Sequence, residues 1–434
     1  MTKDLRVLLD DREIGTITQL RTGKLQLTYD AAWLADPEAM PLSLSMPLAA
    51  AEHDDTAVAP FLWGLLPENE ATLQSIGRRF SVSSRNPFAL LTHIGEDLQG
   101  AVQIVPPESV AGLKQRQGIK MLSRTQLEAG FKELMRDPAA TQFTSDAGQF
   151  SLAGAQRKKT LCLVNGRWGE PRGRTPSTHI LKPSIVGHAG QAYNEMFCIR
   201  LAGQLGLPTP PCWVEMFGTL PVIVIQRYDR LRYSGRRLVE LTAGGGEVRR
   251  VHQEDMCQAL KVHPAIKYQS ERGPGMQAVM QVLSGSGEPS VDRDRFMRAC
   301  AFNFVIGGTD AHAKNYSILL TQGGRFRLAP LYDVASWLPY ADRRRNNKLA
   351  MSVDGQYNFD QIHPRHWEAE AKKCGHDGER TVAHVRDMLS RLPDVAKELW
   401  NTCRFEGLNT PDLASLVGLL VERVRQLKRV YAAH

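Results

Sequence analysis

The sequence predicts an α+β chain, with strands dominating its first half and helices its second. Two observations carry this. Up to about residue 225 most apolar residues fall in short strand-like runs broken by turn residues, whereas beyond about residue 253 they mostly recur at helical spacing. A third observation concerns function as well as fold. Directly behind an apolar run of helical length stands a crowd of polar side chains, Gly307-Gly308-Thr309-Asp310-Ala311-His312-Ala313-Lys314-Asn315.

The elements follow in order. Leu5–Leu9, Glu13–Ile17 and Lys24–Tyr29 read as a β-meander broken at Asp10-Asp11 and Thr22-Gly23. Phe61–Leu66 and Pro87–Leu91 read as helices, and Gly100–Ile104 as a strand returning to the meander. Pro106-Pro107-Glu108-Ser109 marks a local boundary, and Leu122–Met135 has helical spacing. Strands resume at Phe150-Ser151-Leu152, Thr160–Val164, Thr178–Lys182 and Val222–Ile225. A helix from Asn194 to Leu205 lies between the last two and stops at Gly206, with Pro208 beyond. Phe296–Ile306 is a helix closed by Gly307-Gly308, and Leu413–Tyr431 is an amphipathic helix.

The chain has 434 residues, enough for two or three domains, and its 42% hydrophobic content is ordinary for a globular protein. A net charge of +8 arises from 54 Lys+Arg against 46 Asp+Glu, which permits a basic patch without requiring one. Seven scattered cysteines with no C-x-x-C spacing suit buried, reduced thiols better than disulfides or zinc. No signal segment is evident, and no apolar run reaches the roughly 18–20 residues of a membrane span. The expectation is a soluble cytoplasmic protein without membrane partners.

Asp310 and Asn315 stand five positions apart, and Leu331-Tyr332-Asp333 supplies a second carboxylate behind an apolar segment. Protein kinases use this arrangement: one Asp takes the attacking hydroxyl, while an Asn and a later Asp hold the Mg²⁺ that bridges the ATP phosphates. Asp and Asn also gather in ordinary loops, where their side chains bond to nearby backbone. What separates this segment from a loop is its place after a helix stop. A hairpin around Gly323-Gly324 then brings Asp333 back toward Asn315. The pattern predicts a two-lobed, protein-kinase-like fold that carries out phosphoryl transfer.

Such an enzyme needs a strand lysine for the phosphates, and Lys182, just before Pro183, fits. Glu195 on the following helix is placed either to pair with it or to serve the helix start beside Asn194. No Walker A sequence occurs. Instead Ser151–Lys159 places small residues, Ala153, Gly154 and Ala155, where backbone N–H groups can approach phosphate, with Lys158 or Lys159 adding charge. The same residues also suit a plain hairpin turn. Gln226, Arg227 and Tyr228 follow a strong strand, the position of an adenine-reading hinge.

At this point the chain resembles a known family, the HipA-type serine/threonine kinase toxins of bacterial type II toxin–antitoxin modules. The resemblance runs through Phe88–Leu91, Ile94–Asp97, Gly100–Gln103, Phe150–Gln156, Thr178–Lys182, Gln253–Gln258, Lys267-Tyr268, Gly273-Pro274-Gly275, Gly308–Asn315, Leu331–Asp333 and Pro364–His366. It implies a HipA N-terminal subdomain over 1–110, a connecting helical segment over 111–145, a kinase-like β-rich lobe over 146–228 and a helical lobe over 229–434. It further implies Asp310 as catalytic base, Asn315 and Asp333 as Mg²⁺ ligands, and Ser151 as an autophosphorylated, self-inactivating serine. Ala153, Gly154, Ala155, Gln156, Lys158, Lys182, Gln226–Tyr228, Gln253, His312, Lys314, Asn315, Tyr332 and Asp333 would then bind ATP.

For partners, the resemblance implies an aminoacyl-tRNA synthetase substrate, typically the glutamyl enzyme, and a HipB-like helix-turn-helix antitoxin. Operator DNA is expected mainly through the antitoxin. Where relatives carry a lysine-rich DNA-contacting segment, this chain has Asp354–Phe359, which lacks positive charge; Arg343–Arg345 and Lys348 lie just upstream. Two other readings stay open from sequence. One is a catalytically silent, antitoxin-binding co-repressor, and the other is a small-molecule kinase sharing the ATP site.

Overall fold

The computed structural model describes residues 3–115, 117–137, 140, 143, 154–185, 187–340 and 347–432. The chain divides into two compact units that do not follow chain order. One comprises Met1–Pro183, Glu215–Ala265 and Ile318–Phe326; the other comprises Ser184–Val214, Ile266–Ser317 and Arg327–His434.

The first unit is built on strands. Lys3–Leu9, Arg12–Gln19 and Leu25–Tyr29 form the antiparallel meander, and Val102–Val105 pairs with the first of them. Side chains alternate across the pleat, so Leu5, Val7 and Leu9 turn to one core together with Ile14, Ile17, Leu25 and Leu27. Helices Asp55–Gly64 and Pro87–Ile94 cover that core with Phe61, Leu62, Phe88 and Leu91. Each helix starts on a side-chain cap: Asp54 accepts from the Thr56 amide and Asn86 from the Ala89 amide.

A second antiparallel sheet of this unit runs Leu220–Gln226, His179–Pro183, Lys159–Val164, Arg167–Gly173 and Gln117–Met121. The expected strand at Phe150–Leu152 lies outside the described residues. Residues 230–250 form a further three-stranded sheet, Arg237–Val239, Arg230–Ser234 and Glu247–Arg250. Three of its arginines point inward: Arg230, Arg232 and Arg250 are buried, whereas Arg237 and Arg249 are exposed.

Arg230 and Arg250 meet Asp97, a carboxylate from the first hundred residues, whereas Arg232 donates to the Leu241 and Gly245 carbonyls. Asp97 accepts from Arg230 Nη2 at 2.9 Å, Arg250 Nε at 3.3 Å, Arg227 Nη1 at 3.4 Å and Ser177 Oγ at 2.6 Å. Asp229 accepts from Arg227 Nε at 2.9 Å and Nη2 at 2.7 Å, and from the Gly100 amide at 2.8 Å. Burial alone would raise both carboxyls, but the neighbouring guanidiniums outweigh it and hold both below the usual range.

Glu254, on the strand His252–Asp255, shows the opposite balance. Its carboxyl meets the Ser43 hydroxyl at 2.5 Å and the Leu44 amide at 2.8 Å. Burial outweighs these donors and pushes the carboxyl up to about 8. A folded-state value above the unfolded one favours the protonated form. Its stabilising contribution is therefore present in acid and lost as pH rises from about 4 to about 8, by up to about 1 kcal/mol per pH unit. Urea unfolding at pH 5 and pH 8 should show a steeper loss of stability in the parent chain than in Glu254→Gln. Equal losses in the two would count against this assignment.

The second unit is mainly helical: Gln191–Gln204, Met276–Leu283, Pro289–Ile306, Pro364–Lys373, Gly378–Phe405 and Pro411–Ala432. Phe296, Phe302, Phe304 and Trp367 are fully buried here. The seven cysteines of the chain are buried free thiols. Among the described residues no helix is long and apolar enough to cross a membrane.

Candidate active site

The polar crowd after residue 307 is held by the end of the helix Pro289–Ile306. That end leaves several carbonyls without intrahelical partners, and each of its last ones is answered. Gly307 turns left-handed at φ 66°, and the Gly308 amide then reaches the Asn303 carbonyl at 2.7 Å. A Cβ at Gly308 would stand 2.7 Å from Asn303 Oδ1, so the approach needs glycine. Arg423 donates to the Phe304 carbonyl at 2.9 Å and the Val305 carbonyl at 3.0 Å. Its guanidinium lies 4.1 Å from the Phe359 ring centre and bonds to Asp360 Oδ1 at 3.2 Å. The Ser336 hydroxyl takes the Ile306 carbonyl at 2.6 Å, and the Trp337 amide takes that of Gly307 at 3.0 Å.

From this braced end the chain closes into a compact turn. The Asp310 carbonyl accepts from the His312 amide at 2.8 Å and from Asn315 Nδ2 at 2.7 Å, while the Asn315 amide bonds to the His312 carbonyl at 2.9 Å. His312, Lys314 and Asn315 are buried, whereas the Asp310 side chain is 68% exposed. The turn thus presents one carboxylate outward on a rigid base.

The returning segment is stitched to the same turn. The Tyr332 hydroxyl donates to the Lys314 carbonyl at 2.7 Å and lies 2.6 Å from Ser317 Oγ. Asp333, next in the chain, is exposed and adopts φ 56°, a left-handed conformation that Asp tolerates better than most residues. Beyond it, Ser336 and Asn194 exchange bonds of 3.0 and 2.7 Å. Asn194 is therefore a bridge and not a helix cap. The helix starts at Gln191 with Gly190 as its cap, three residues before the point the sequence suggested.

The sequence reading missed a role for Tyr268. Its hydroxyl donates to Asp310 Oδ1 at 2.5 Å. The signal was present as Lys267-Tyr268, a motif with no chemistry attached.

The candidate nucleotide residues of the strand-rich unit form their own set. Lys182 is buried at the penultimate position of its strand, opposite Ile223. Gln156 Nε2 bonds to the neighbouring Pro183 carbonyl at 2.9 Å. Gly154 has φ 107°, and a Cβ there would lie 2.5 Å from Lys158 Nζ. Lys158 thus curls over the Gly154 backbone, and Ala155 and Gln156 form the bend after it. Ser151 and Ala153 lie outside the described residues, as do Arg343–Arg345.

Gln226 ends its strand opposite His179. The Arg227 amide bonds to the Thr178 carbonyl at 2.9 Å, and its guanidinium is spent on Asp97 and Asp229. What Arg227 offers a ligand is therefore its carbonyl. The Tyr228 hydroxyl donates to Gln253 Oε1, and Gln253 Nε2 donates to Asp229 Oδ2 at 3.0 Å. Asp229 thereby ties the expected hinge to Gln253.

Comparison with known proteins decides the family. Residues 5–105 match the HipA N-terminal domain and residues 150–396 match the HipA-like C-terminal domain. The chain belongs to the HipA family. A protein named as a kinase, Y4mE of Sinorhizobium fredii, is 36% identical over 404 residues, covering 91% of this chain and 90% of the relative. The serine/threonine-protein kinase toxin HipA of Shewanella oneidensis is 26% identical over 412 residues, covering 92% and 89%. The solved structure of Shewanella oneidensis HipA with HipB and its operator DNA superposes with a TM-score of 0.80 at 24% identity, covering 99% of this chain and 97% of that one. The fold is accordingly the α+β, kinase-like fold of HipA, and this HipA-family chain is a serine/threonine protein kinase.

Proposed function

We propose that this HipA-family chain is a Mg-ATP-dependent protein kinase acting as the toxin of a toxin–antitoxin pair. One observation supports it most: the exposed Asp310 carboxylate stands on a turn whose carbonyl is held by the Asn315 side chain. That bond occupies the Asn315 amide nitrogen and leaves its oxygen as the group to offer a cation. Asn315 and Asp333 together supply hard oxygen donors of the kind Mg²⁺ prefers, and these residues would hold it. The metal, when bound, neutralises charge on the ATP phosphates.

The roles of this chain's residues follow from their placement. Asp310 accepts the proton of a serine or threonine hydroxyl as it attacks. His312 and Lys314 line the phosphate side, with Tyr332 buttressing Lys314. Lys182, Lys158 and the backbone of 153–156 bind phosphates. Residues 226–228 form the adenine-reading hinge, and Gln253 contacts the nucleotide. Ser151 is the autophosphorylation site, where about two added negative charges repel bound ATP and switch the enzyme off.

The substrate we propose is an aminoacyl-tRNA synthetase, the glutamyl enzyme first, so that phosphorylation arrests translation in the cytoplasm. A HipB-like helix-turn-helix antitoxin neutralises the kinase, and operator DNA is reached mainly through that antitoxin, since Asp354–Phe359 lacks positive charge. Purified chain incubated with radiolabelled ATP and glutamyl-tRNA synthetase tests this. Label should enter the synthetase and, by mass spectrometry, Ser151. A silent co-repressor would incorporate none, and label found only in small molecules would redirect the assignment to a metabolite kinase.

A further inference from the structure

We propose that Tyr268 is a positioning residue for the Asp310 carboxylate, selecting which of its oxygens meets an incoming hydroxyl. The inference rests on the reading of Asp310 as base. A carboxylate that is 68% exposed has little packing to fix it, and the terminal torsion of an Asp side chain is broad. Proton acceptance nevertheless needs one oxygen near the substrate in a narrow range of approach.

Tyr268 supplies that constraint. Its hydroxyl donates to Oδ1 at 2.5 Å, in the range of strong bonds between a hydroxyl and a carboxylate. The tyrosine is itself held. Its backbone carbonyl accepts from the Glu271 and Gly273 amides, both at 2.9 Å. A Cβ at Gly273 would lie 2.1 Å from the Ile266 carbonyl, so this turn requires glycine. The Tyr268 ring stands edge-on to His312, with centroids 5.0 Å apart at 87°, and His312 is buried. Rigidity therefore passes from the buried turn, through His312 and the tyrosine ring, to a donor on the exposed carboxylate's Oδ1. The competing view is that the hydroxyl sits where the substrate hydroxyl belongs and must leave before reaction.

The two views predict opposite signs for Tyr268→Phe, which keeps the ring and removes the donor. As a positioning residue, its loss lowers the maximal rate of phosphate incorporation into protein from radiolabelled ATP by about ten- to a hundredfold. The half-saturating ATP concentration stays within about twofold, and the unfolding transition does not move. In an Asp310→Asn background the same change costs nothing further, because the two groups act as one unit. An unchanged or raised maximal rate in Tyr268→Phe overturns the proposal. So does a loss seen wholly in the ATP dependence. An active Asp310→Asn single variant would instead overturn the reading of Asp310 as base, so the two failures are distinguishable.

Discussion

Asp310→Asn is expected to lower the rate of phosphate transfer by about a thousandfold while leaving nucleotide affinity within about twofold. A positioned general base contributes roughly a hundred- to ten-thousandfold, and amide replacement removes the proton acceptor at nearly constant shape. The bonds that build the turn use the Asp310 backbone carbonyl and not its side chain. Asn315 should therefore remain in place, and the loss should fall on the maximal rate. Transfer from radiolabelled ATP, alongside nucleotide binding by calorimetry, gives both numbers. A variant that transfers at a near-parental rate would place the base elsewhere.

Asp97→Asn should destabilise the strand-rich unit by about 3–5 kcal/mol, the usual cost of removing one partner from a buried charge cluster. The carboxylate is fully buried and faces Arg227, Arg230 and Arg250, so its neutral replacement leaves those cations short of countercharge. An Asn amide also turns a donor toward groups that only donate. The pH dependence carries a definite sign. Burial opposes ionisation of Asp97, the arginines prevail, and the folded-state carboxyl lies below its usual range. Its contribution is thus complete above about pH 4 and lost as pH falls further. Urea unfolding at pH 7 measures the first effect. Unfolding between pH 5 and pH 3 measures the second, whose slope should be shallower in the variant.

Much of this was legible in the chain itself. Alternation marked the opening meander because one of its faces is buried along its length and the other only locally, as at Leu8. The glycine pair marked the helix end because Gly307 turns left-handed and a Cβ at Gly308 would press on Asn303. The cluster Asp310–Asn315 stood out because its polarity exceeded what a turn needs. Residues 230–250 were not legible as a sheet. Arg230 and Arg232 occupy its inward face while Leu231 is half-exposed, the reverse of the usual pattern, and Asp97, the partner of Arg230, lies more than a hundred residues away. Asn194 was misread for a related reason: a residue suited to capping was used to reach Ser336, a partner invisible to local spacing. Tyr268 was missed because a tyrosine next to a lysine carries no signal until the fold sets it against a carboxylate.

The brace supplied by Arg423 has a consequence for the order of events at the ribosome. The turn that carries Asp310 is synthesised more than a hundred residues before the arginine that holds the end of its supporting helix. At the usual pace of translation that interval is on the order of ten seconds. A nascent chain whose Asp310 has already been made therefore still lacks the group that satisfies two carbonyls beneath it. The support beneath this turn is thereby completed only once the last helix has been made.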